Sequence, residues 1–194
     1  MDYKIIGVVG QIASGKGILV NYLTSHLDFK SFSLSSILHN GLKKKGIAKY
    51  TRETLQNEGD ELRRRYGDDI LARKTIEQMK NEKFKMKNYV IEGIRNPGEI
   101  ELLKKNQNFI LIGVKAHREL RFKRLLSRSK EWDPKNYEYF LKIDRRDTGI
   151  NQQKSGQQVW KCLAYCDYVL TNNKDVKDFE KKVEKLFVHK LFSS

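Results

Sequence analysis

Short apolar runs alternate with longer segments of helical periodicity along this chain. Four runs are rich in Val, Ile and Leu: residues 3–9, 89–91, 109–114 and 168–170. A weaker fifth run covers residues 30–34. Short apolar runs bounded by turn residues are typical of buried strands. Strands that alternate with helices form parallel sheets covered on both faces. The pattern therefore predicts an α/β fold with a five-stranded parallel sheet and helices on both faces.

Local signals predict several helix boundaries. Ser35 or Ser36 can cap a helix after the weaker apolar run. Thr51 is expected to begin the next helix, and Gly67 is expected to break or kink it. Pro97 is expected in the first turn of a later helix, because proline has no N–H and that position needs none.

The first apolar run leads directly into a glycine-rich turn and then into a helical segment. In this strand–turn–helix context the turn matches G-x-x-x-x-G-K, the phosphate-binding loop. The backbone N–H groups of such a loop and the N-terminus of the next helix bind phosphate oxygens, and Lys16 adds a mobile positive charge. The residues predicted to hold the phosphates of a nucleotide are Gly10, Ile12, Ala13, Ser14, Gly15, Lys16, Gly17 and Ile18.

The position after Lys16 departs from the common motif, because Gly17 stands where Ser or Thr usually touches Mg²⁺. A bound Mg²⁺ would then be held by the nucleotide, by waters and by a carboxylate elsewhere, which this ion tolerates. Glu92 is the candidate carboxylate, acting through water, because it follows the apolar run 89–91 at a strand end. The alternative is that Glu92 merely caps a loop or helix.

A set of arginines follows the fourth strand. Phosphoryl transfer depends on positioning, charge neutralisation and exclusion of water. Residues 118–156 therefore predict a small helical lid that closes guanidinium groups onto the transferring phosphoryl, although a solvated basic face is the alternative. Four arginines lie on one face of its first helix: Arg118, Arg121, Arg124 and Arg128. Two more lie in its second helix: Arg145 and Arg146.

These motifs, in this order, resemble the P-loop nucleoside monophosphate kinase group, closest to its adenylate-kinase-related and dephospho-CoA-kinase-like proteins. The resemblance covers most of the chain. Its pieces are residues 10–17, 32–38, 51–56, Tyr66-Gly67-Asp68-Asp69, Glu92-Gly93-Ile94-Arg95, Arg121-Phe122-Lys123-Arg124 with Arg128, Asp144-Arg145-Arg146-Asp147 and residues 166–172. The phosphate loop is specific for the superfamily, and the other pieces are specific only as an ordered set.

The resemblance implies a three-layer P-loop NTPase fold, with one domain over residues 1–194 that carries the lid. It implies ATP and Mg²⁺, with Arg124 and Asn172 among the groups that hold the donor. The implied catalytic residues are Lys16, Glu92, Arg124, Arg128 and Arg146, and the implied acceptor-binding residues are Ser33, His39, Arg52, Arg95 and Arg145. His39 replaces an arginine of true adenylate kinases, and the segment from Glu92 to Arg95 is one residue shorter than theirs. AMP therefore cannot simply be assumed as the acceptor.

The predicted function is ATP-dependent phosphoryl transfer to a small nucleotide-like acceptor, with a (deoxy)nucleoside monophosphate as the first choice. The alternatives are dephospho-CoA kinase-like activity on a CoA precursor, or a nucleotide-binding sensor without turnover. The excess of 39 Lys and Arg over 24 Asp and Glu gives a net charge of +15. Such a charge suits a polyanionic partner. No nucleic-acid-binding motif accompanies it, so nucleic acid is not the expected partner.

Neither a signal peptide nor a transmembrane segment is expected from the sequence. Cys162 and Cys166 have no His or Cys partners nearby, so they are expected to be core residues in a reducing compartment rather than zinc ligands. The sequence thus predicts a cytoplasmic monomer or homodimer with no membrane partner.

Overall fold

The structure, a computed structural model, describes residues 4–81 and 88–191. Tyr3, which the apolar pattern assigns to the first strand, lies outside the described residues. The strands are β1 (Lys4–Gly10), β2 (Lys30–Ser33), β3 (Asn88–Ile94), β4 (Phe109–Lys115) and β5 (Tyr168–Thr171). They form one parallel sheet in the order β2-β3-β1-β4-β5. The predicted α/β fold with a five-stranded parallel sheet is confirmed.

Helices connect the strands and cover the sheet. They are α1 (Lys16–His26), α2 (Leu34–Lys44), α3 (Arg52–Tyr66), α4 (Ile70–Lys80), α5 (Pro97–Leu103), α6 (Arg118–Arg128), α7 (Tyr137–Thr148), α8 (Val159–Ala164) and α9 (Val176–Leu186), with a π-helical turn (Phe187–Leu191) after α9. Within residues 4–81 and 88–191, no helix is both long enough and apolar enough to cross a membrane.

The sheet buries apolar side chains on both of its faces. On β1, Ile5 and Val9 belong to a core that also contains residues of α2 to α5 and α8. The intervening Ile6 and Val8 belong to a second core with residues of α1 and α9. Successive side chains of a strand point to opposite faces, so a continuous apolar run such as β1 suits a central strand covered on both sides.

One predicted helix boundary is wrong, and the others agree with the structure. Thr51 caps α3 in a capping box with Thr54, and Gly67 ends that helix at φ 100°. Pro97 lies in the first turn of α5. The predicted cap at Ser35 or Ser36 is wrong, because α2 begins at Leu34, directly after β2. The hydroxyl of Ser35 is instead hydrogen-bonded to that of Ser33, and the hydroxyl of Ser36 donates to the carbonyl oxygen of Ser33.

A buried ion pair joins the two long helices of the predicted lid. The guanidinium of Arg121, 1% exposed, donates to both carboxylate oxygens of Asp144 on α7, at 2.6 and 2.9 Å. It also donates to the carbonyl oxygens of Ala116 and of Ile12 in the phosphate loop. A small core of Ile12, Leu125, Phe140 and Ile143 packs beside it. Arg121 therefore fixes α6 and α7 to the phosphate loop rather than facing a nucleotide.

Replacing Arg121 with Met should lower the free energy of unfolding by about 3–5 kcal/mol, because it leaves the buried Asp144 carboxylate with only the longer contact to the half-exposed Arg118, at 3.3 Å. The double variant Arg121→Met with Asp144→Leu should recover much of that loss, since an apolar pair of similar volume avoids the desolvation penalty. Urea unfolding of the protein and both variants measures these differences. An unchanged urea midpoint for Arg121→Met would show that the pair contributes nothing.

Candidate active site

Steric limits explain both glycines of the phosphate loop between β1 and α1. A Cβ on Gly10 would lie 2.3 Å from the carbonyl oxygen of Val114 on β4. Gly15 has φ 107°, and a Cβ there would lie 2.1 Å from Nδ2 of Asn172. Ala13 also adopts a left-handed conformation, with φ 57°. The loop can follow this path only with small residues at these positions.

The other loop residues divide between packing and exposure. Ile12 packs beneath the lid helices, and Ile18 packs on the α1 face of the sheet. Gly17 is exposed and has open space around it. Ser14 is fully buried, and its Oγ has no hydrogen-bond partner among the described residues. The backbone of the loop and the buried Ser14 hydroxyl are therefore available to bind a ligand.

Lys16 folds back onto its own loop. Its Nζ donates to the carbonyl oxygens of Gly10, at 2.7 Å, and Gln11, at 2.9 Å. Desolvation, followed by the positive charge of Arg95, lowers the pKa of Lys16 to about 7, while the carboxylates of Asp147 and Glu92 act in the opposite direction. Lys16 is therefore only partly charged at neutral pH in the absence of a phosphate ligand.

Arg124 positions the segment after β5. Its guanidinium donates to the backbone oxygen of Asn172, at 2.9 Å, to Oδ1 of the same residue, and to the carbonyl oxygen of Lys174. The buried Asn172 side chain in turn donates from Nδ2 to the carbonyl oxygen of Ser14, at 3.0 Å. Arg124 and Asn172 thus support the outer wall of the phosphate loop, on the side where the resemblance places the donor.

A closed cavity lies against the phosphate loop, between α2, α3, the end of β3 and α7. Its volume is about 10 Å³, which is at the lower limit for one water molecule. This cavity, called here the acceptor cavity, is lined by Ile12, Ser35, Leu38, Arg52, Leu55, Gln56, Arg95, Ile143, Asp147 and Gln157. Two predicted acceptor residues, Arg52 and Arg95, are therefore brought together.

Asp133 joins two of the predicted arginines. The buried Asp133 carboxylate accepts from Arg52, at 2.7 Å, and from Arg128, also at 2.7 Å. Burial alone would raise the pKa of Asp133, but the hydrogen bonds from Arg128 and Arg52 hold it below its usual range. The loop between α6 and α7 is thereby anchored at the N-terminus of α3, where Arg52 N–H also donates to the carbonyl oxygen of Trp132.

His39 belongs to an aromatic cluster rather than to the cavity lining. Its ring centroid lies 4.8 Å from that of Trp132, and its Nδ1 is hydrogen-bonded to the hydroxyl of Tyr50 at 2.7 Å. Desolvation and the nearby charge of Arg52 lower the pKa of His39, so its ring is uncharged at neutral pH. The cluster holds Trp132 of the lid against α2.

Arg95 and Asp147 form a second ion pair within the acceptor cavity. Nε of Arg95 donates to Oδ1 of Asp147, at 2.9 Å. The other carboxylate oxygen, Oδ2, is buried without a hydrogen-bond partner among the described residues. Nε of Arg52 and Oε1 of Gln56 are also buried without a hydrogen-bond partner among the described residues. Buried polar groups are almost always paired, so three unpaired atoms around one cavity indicate a place for a ligand.

A larger, open pocket lies outside the acceptor cavity, between α3 and α7. Its volume is about 780 Å³, which is in the range of small-molecule pockets. Gln56 and Ile143 line both spaces and separate them. Arg145 faces this pocket, and its guanidinium has no ion pair within the described part of the chain. Arg146 lines it too, but donates to Asp60 on α3, at 2.7 Å.

Glu92 and Ser33 are paired in the sheet register. Ser33 ends β2, but the expectation that Glu92 follows its strand is wrong, because β3 continues to Ile94. Among the described residues, no hydrogen bond or ion pair engages the Glu92 carboxylate. One free carboxylate with nucleotide phosphates and waters fits Mg²⁺, which uses few protein ligands. No cluster of three or more potential metal ligands occurs within residues 4–81 and 88–191. Ser33 Oγ bonds to that of Ser35, which lines the acceptor cavity.

The sequence reasoning missed the carboxylates and amides of the site. The motif Asp144-Arg145-Arg146-Asp147 contains Asp147 but indicates no role for it, and no sequence motif indicates a role for Asp133, Gln56 or Gln157. Gln56 donates to Gln157 at 3.1 Å, across 101 residues of sequence. An acidic residue beside candidate arginines was a usable signal for Asp147, whereas nothing local distinguishes the two glutamines.

The sheet order, with a glycine-rich loop after the first strand, defines a P-loop protein with a kinase-like fold. Solved structures agree. TT1252 from Thermus thermophilus has a TM-score of 0.61 at 17% identity, covering 96% of this chain and 97% of its own. Shikimate kinase from Acinetobacter baumannii, in complex with shikimate, has a TM-score of 0.61 at 18% identity, covering 97% and 96%. At these identities the likeness shows the fold alone.

The chain belongs to the UPF0200 family. The UPF0200 protein of Sulfurisphaera tokodaii is 30% identical over 188 residues, which cover 94% of this chain and 95% of the relative. That of Methanothermobacter thermautotrophicus is 27% identical over 187 residues, covering 96% and 90%. No model of a known protein family matches the chain.

The low pKa of Lys16 predicts how stability depends on pH. Its pKa is about 7 in the folded protein and ordinarily 10.5, so between these values the unfolded chain binds more protons. This group therefore makes the protein more stable as pH rises from 7 toward 10.5. Lys16→Met should flatten that slope in urea unfolding, and Lys181→Met, on the exposed surface of α9, should not.

Direct titration checks the same point. In ¹³C-lysine NMR spectra, one Cε signal should titrate near pH 7 and disappear in Lys16→Met. If every lysine signal titrates at its ordinary pH, Lys16 is not desolvated as described.

Proposed function

We propose that this protein is a small-molecule kinase that transfers the terminal phosphoryl group of ATP to a nucleotide-like acceptor. The observation that carries the proposal is the adjacency of two sites. Ile12 belongs to the phosphate loop and also lines the acceptor cavity, so a bound triphosphate and a small polar molecule would lie on either side of one residue. Holding two reactants in contact is the main requirement of phosphoryl transfer.

The donor would occupy residues 10–17, with its phosphates on the loop backbone. Lys16 would leave the carbonyl oxygens of Gly10 and Gln11 and bind the terminal phosphates, whose negative charge would raise its pKa again. Arg124 and Asn172 would hold the donor side of the site. Mg²⁺, bound with the nucleotide and held through water by Glu92, would supply charge neutralisation.

The acceptor would enter through the outer pocket and the acceptor cavity. Arg52 and Arg95 line the cavity, Arg145 faces the pocket, and Ser33 and His39 support the walls. Residues 118–156 would act as the lid. Arg128, whose side chain is 34% exposed, can turn from Asp133 toward a phosphoryl group, and Arg146 would have to leave Asp60 to do the same.

Two acceptors fit this proposal. A nucleoside monophosphate is the one that the order of motifs favours. A CoA precursor, which accepts the phosphoryl on a ribose hydroxyl, is favoured by one observation, the unpaired carboxylate oxygen of Asp147 beside the phosphate loop. The fold likeness to proteins named shikimate kinase supports small-molecule phosphorylation in general and does not choose between these acceptors.

A coupled ADP-release assay with nucleoside monophosphates, nucleosides and dephospho-CoA tests the proposal. At least one acceptor should raise ADP release above the rate with ATP alone. Lys16→Ala should then reduce kcat by about 100-fold or more, because it removes a charge that binds the terminal phosphates. The matched control Lys181→Ala removes an exposed lysine of α9 and should keep full activity.

If no acceptor raises ADP release while ATP still binds tightly, the kinase proposal is wrong. The nucleotide-binding sensor then takes its place.

A further inference from the structure

The three unpaired atoms around the acceptor cavity define what its ligand must offer. Oε1 of Gln56 and Oδ2 of Asp147 are hydrogen-bond acceptors, and Nε–H of Arg52 is a donor. Gln56 is 1% exposed and Asp147 is 3% exposed, so bulk water does not form hydrogen bonds with their unpaired oxygens. The ligand must therefore donate hydrogen bonds to two of these atoms and accept one from the third.

The orientation of the Gln56 amide follows from its neighbours. Its nitrogen donates to the carbonyl oxygen of Ile143, at 3.2 Å, and a carbonyl can only accept. The same nitrogen lies 3.1 Å from Oε1 of Gln157. Oε1 is thus the acceptor end of the Gln56 amide, and no donor among the described residues reaches it.

Both arginines that line the cavity already contact a carboxylate, although Asp133 is shared between Arg52 and Arg128. Arg95 is paired with Asp147, at 2.9 Å, and Arg52 is paired with Asp133, at 2.7 Å. A phosphate group carries acceptor oxygens and negative charge, so it could not serve Gln56 Oε1 and would be repelled by Asp147. A hydroxyl group carries no charge, accepts hydrogen bonds and donates one, so two neighbouring hydroxyls, as in a vicinal diol, suit all three unpaired atoms.

We infer that the phosphoryl-accepting group of the substrate is an alcohol hydroxyl, and that Oδ2 of Asp147 takes its proton. The inference rests on the proposed kinase function. The hydroxyl oxygen forms a bond to the γ-phosphorus of ATP as the bond from that phosphorus to the β–γ bridging oxygen breaks. The electron pair leaves with ADP, and the proton passes to Asp147. The products are a phosphomonoester, ADP and one proton, which Asp147 releases to water.

Asp147 is close enough to the phosphate loop for this role. Asp147 lines the acceptor cavity together with Ile12, a residue of the phosphate loop. Arg95 holds Oδ1, which leaves Oδ2 buried without a hydrogen-bond partner among the described residues. A carboxylate that accepts the hydroxyl proton is a known arrangement in kinases whose acceptor is an alcohol.

The first experiment uses the wild-type chain, ATP and matched pairs of nucleoside 5′-monophosphates and their 2′,3′-dideoxy analogues, with dephospho-CoA as a further probe. The inference expects a phosphomonoester by ³¹P NMR, and no product from the dideoxy analogues. A phosphoanhydride product, or full turnover of a dideoxy analogue, would overturn the inference and leave the proposed kinase function intact. Absence of ADP release with every probe would overturn the kinase function itself.

The second experiment compares Asp147→Asn with Asp178→Asn, a matched charge change on α9 away from the site. The asparagine at position 147 can still accept from Arg95. Asp147→Asn should lower kcat by about 100-fold or more with little change in the KM for ATP. Retained kcat in Asp147→Asn would overturn the role of Asp147.

Thermal unfolding of both variants shows whether each is folded. If Asp147→Asn fails to fold, the product chemistry of the wild-type chain still decides the inference.

Discussion

The buried pair of Arg121 and Asp144 is the interaction on which the arrangement of the site depends. One guanidinium binds a carboxylate of α7, a carbonyl before α6 and the carbonyl of Ile12 in the phosphate loop. Because both charges are buried, neither can be removed alone without a large cost. The phosphate loop, α6 and α7 are thereby held together, and Ile143 and Asp147 of α7 line the cavity beside the loop.

Four other arginines around the site are also paired with carboxylates. Asp133 receives Arg52 and Arg128, Asp147 receives Arg95, and Asp60 receives Arg146. A chain with a net charge of +15 thus places carboxylates on the arginines around the site. At the proposed acceptor cavity, the unpaired atoms of Gln56, Asp147 and Arg52 would then contribute to discrimination among ligands.

The fold could be predicted because its signals are local. Strand length, the glycine-rich loop, the Thr51 capping box and Pro97 each depend on a few adjacent residues. The roles of the arginines could not be predicted in the same way, because their partners are distant in sequence: Arg52 and Asp133 are 81 residues apart, and Arg95 and Asp147 are 52. Periodicity placed Arg121 beside Arg124 and Arg128 on one helix face, but only tertiary contacts show that Arg121 is buried.

The small size of the acceptor cavity has a kinetic consequence. A space of about 10 Å³ cannot admit a substrate or hold a phosphorylated product while α3 and α7 remain in contact. In the proposed kinase, every catalytic cycle would therefore include separation of these helices, which breaks the Gln56 contact with Ile143 and exposes apolar surface. Such an opening would add a temperature-dependent conformational step to turnover.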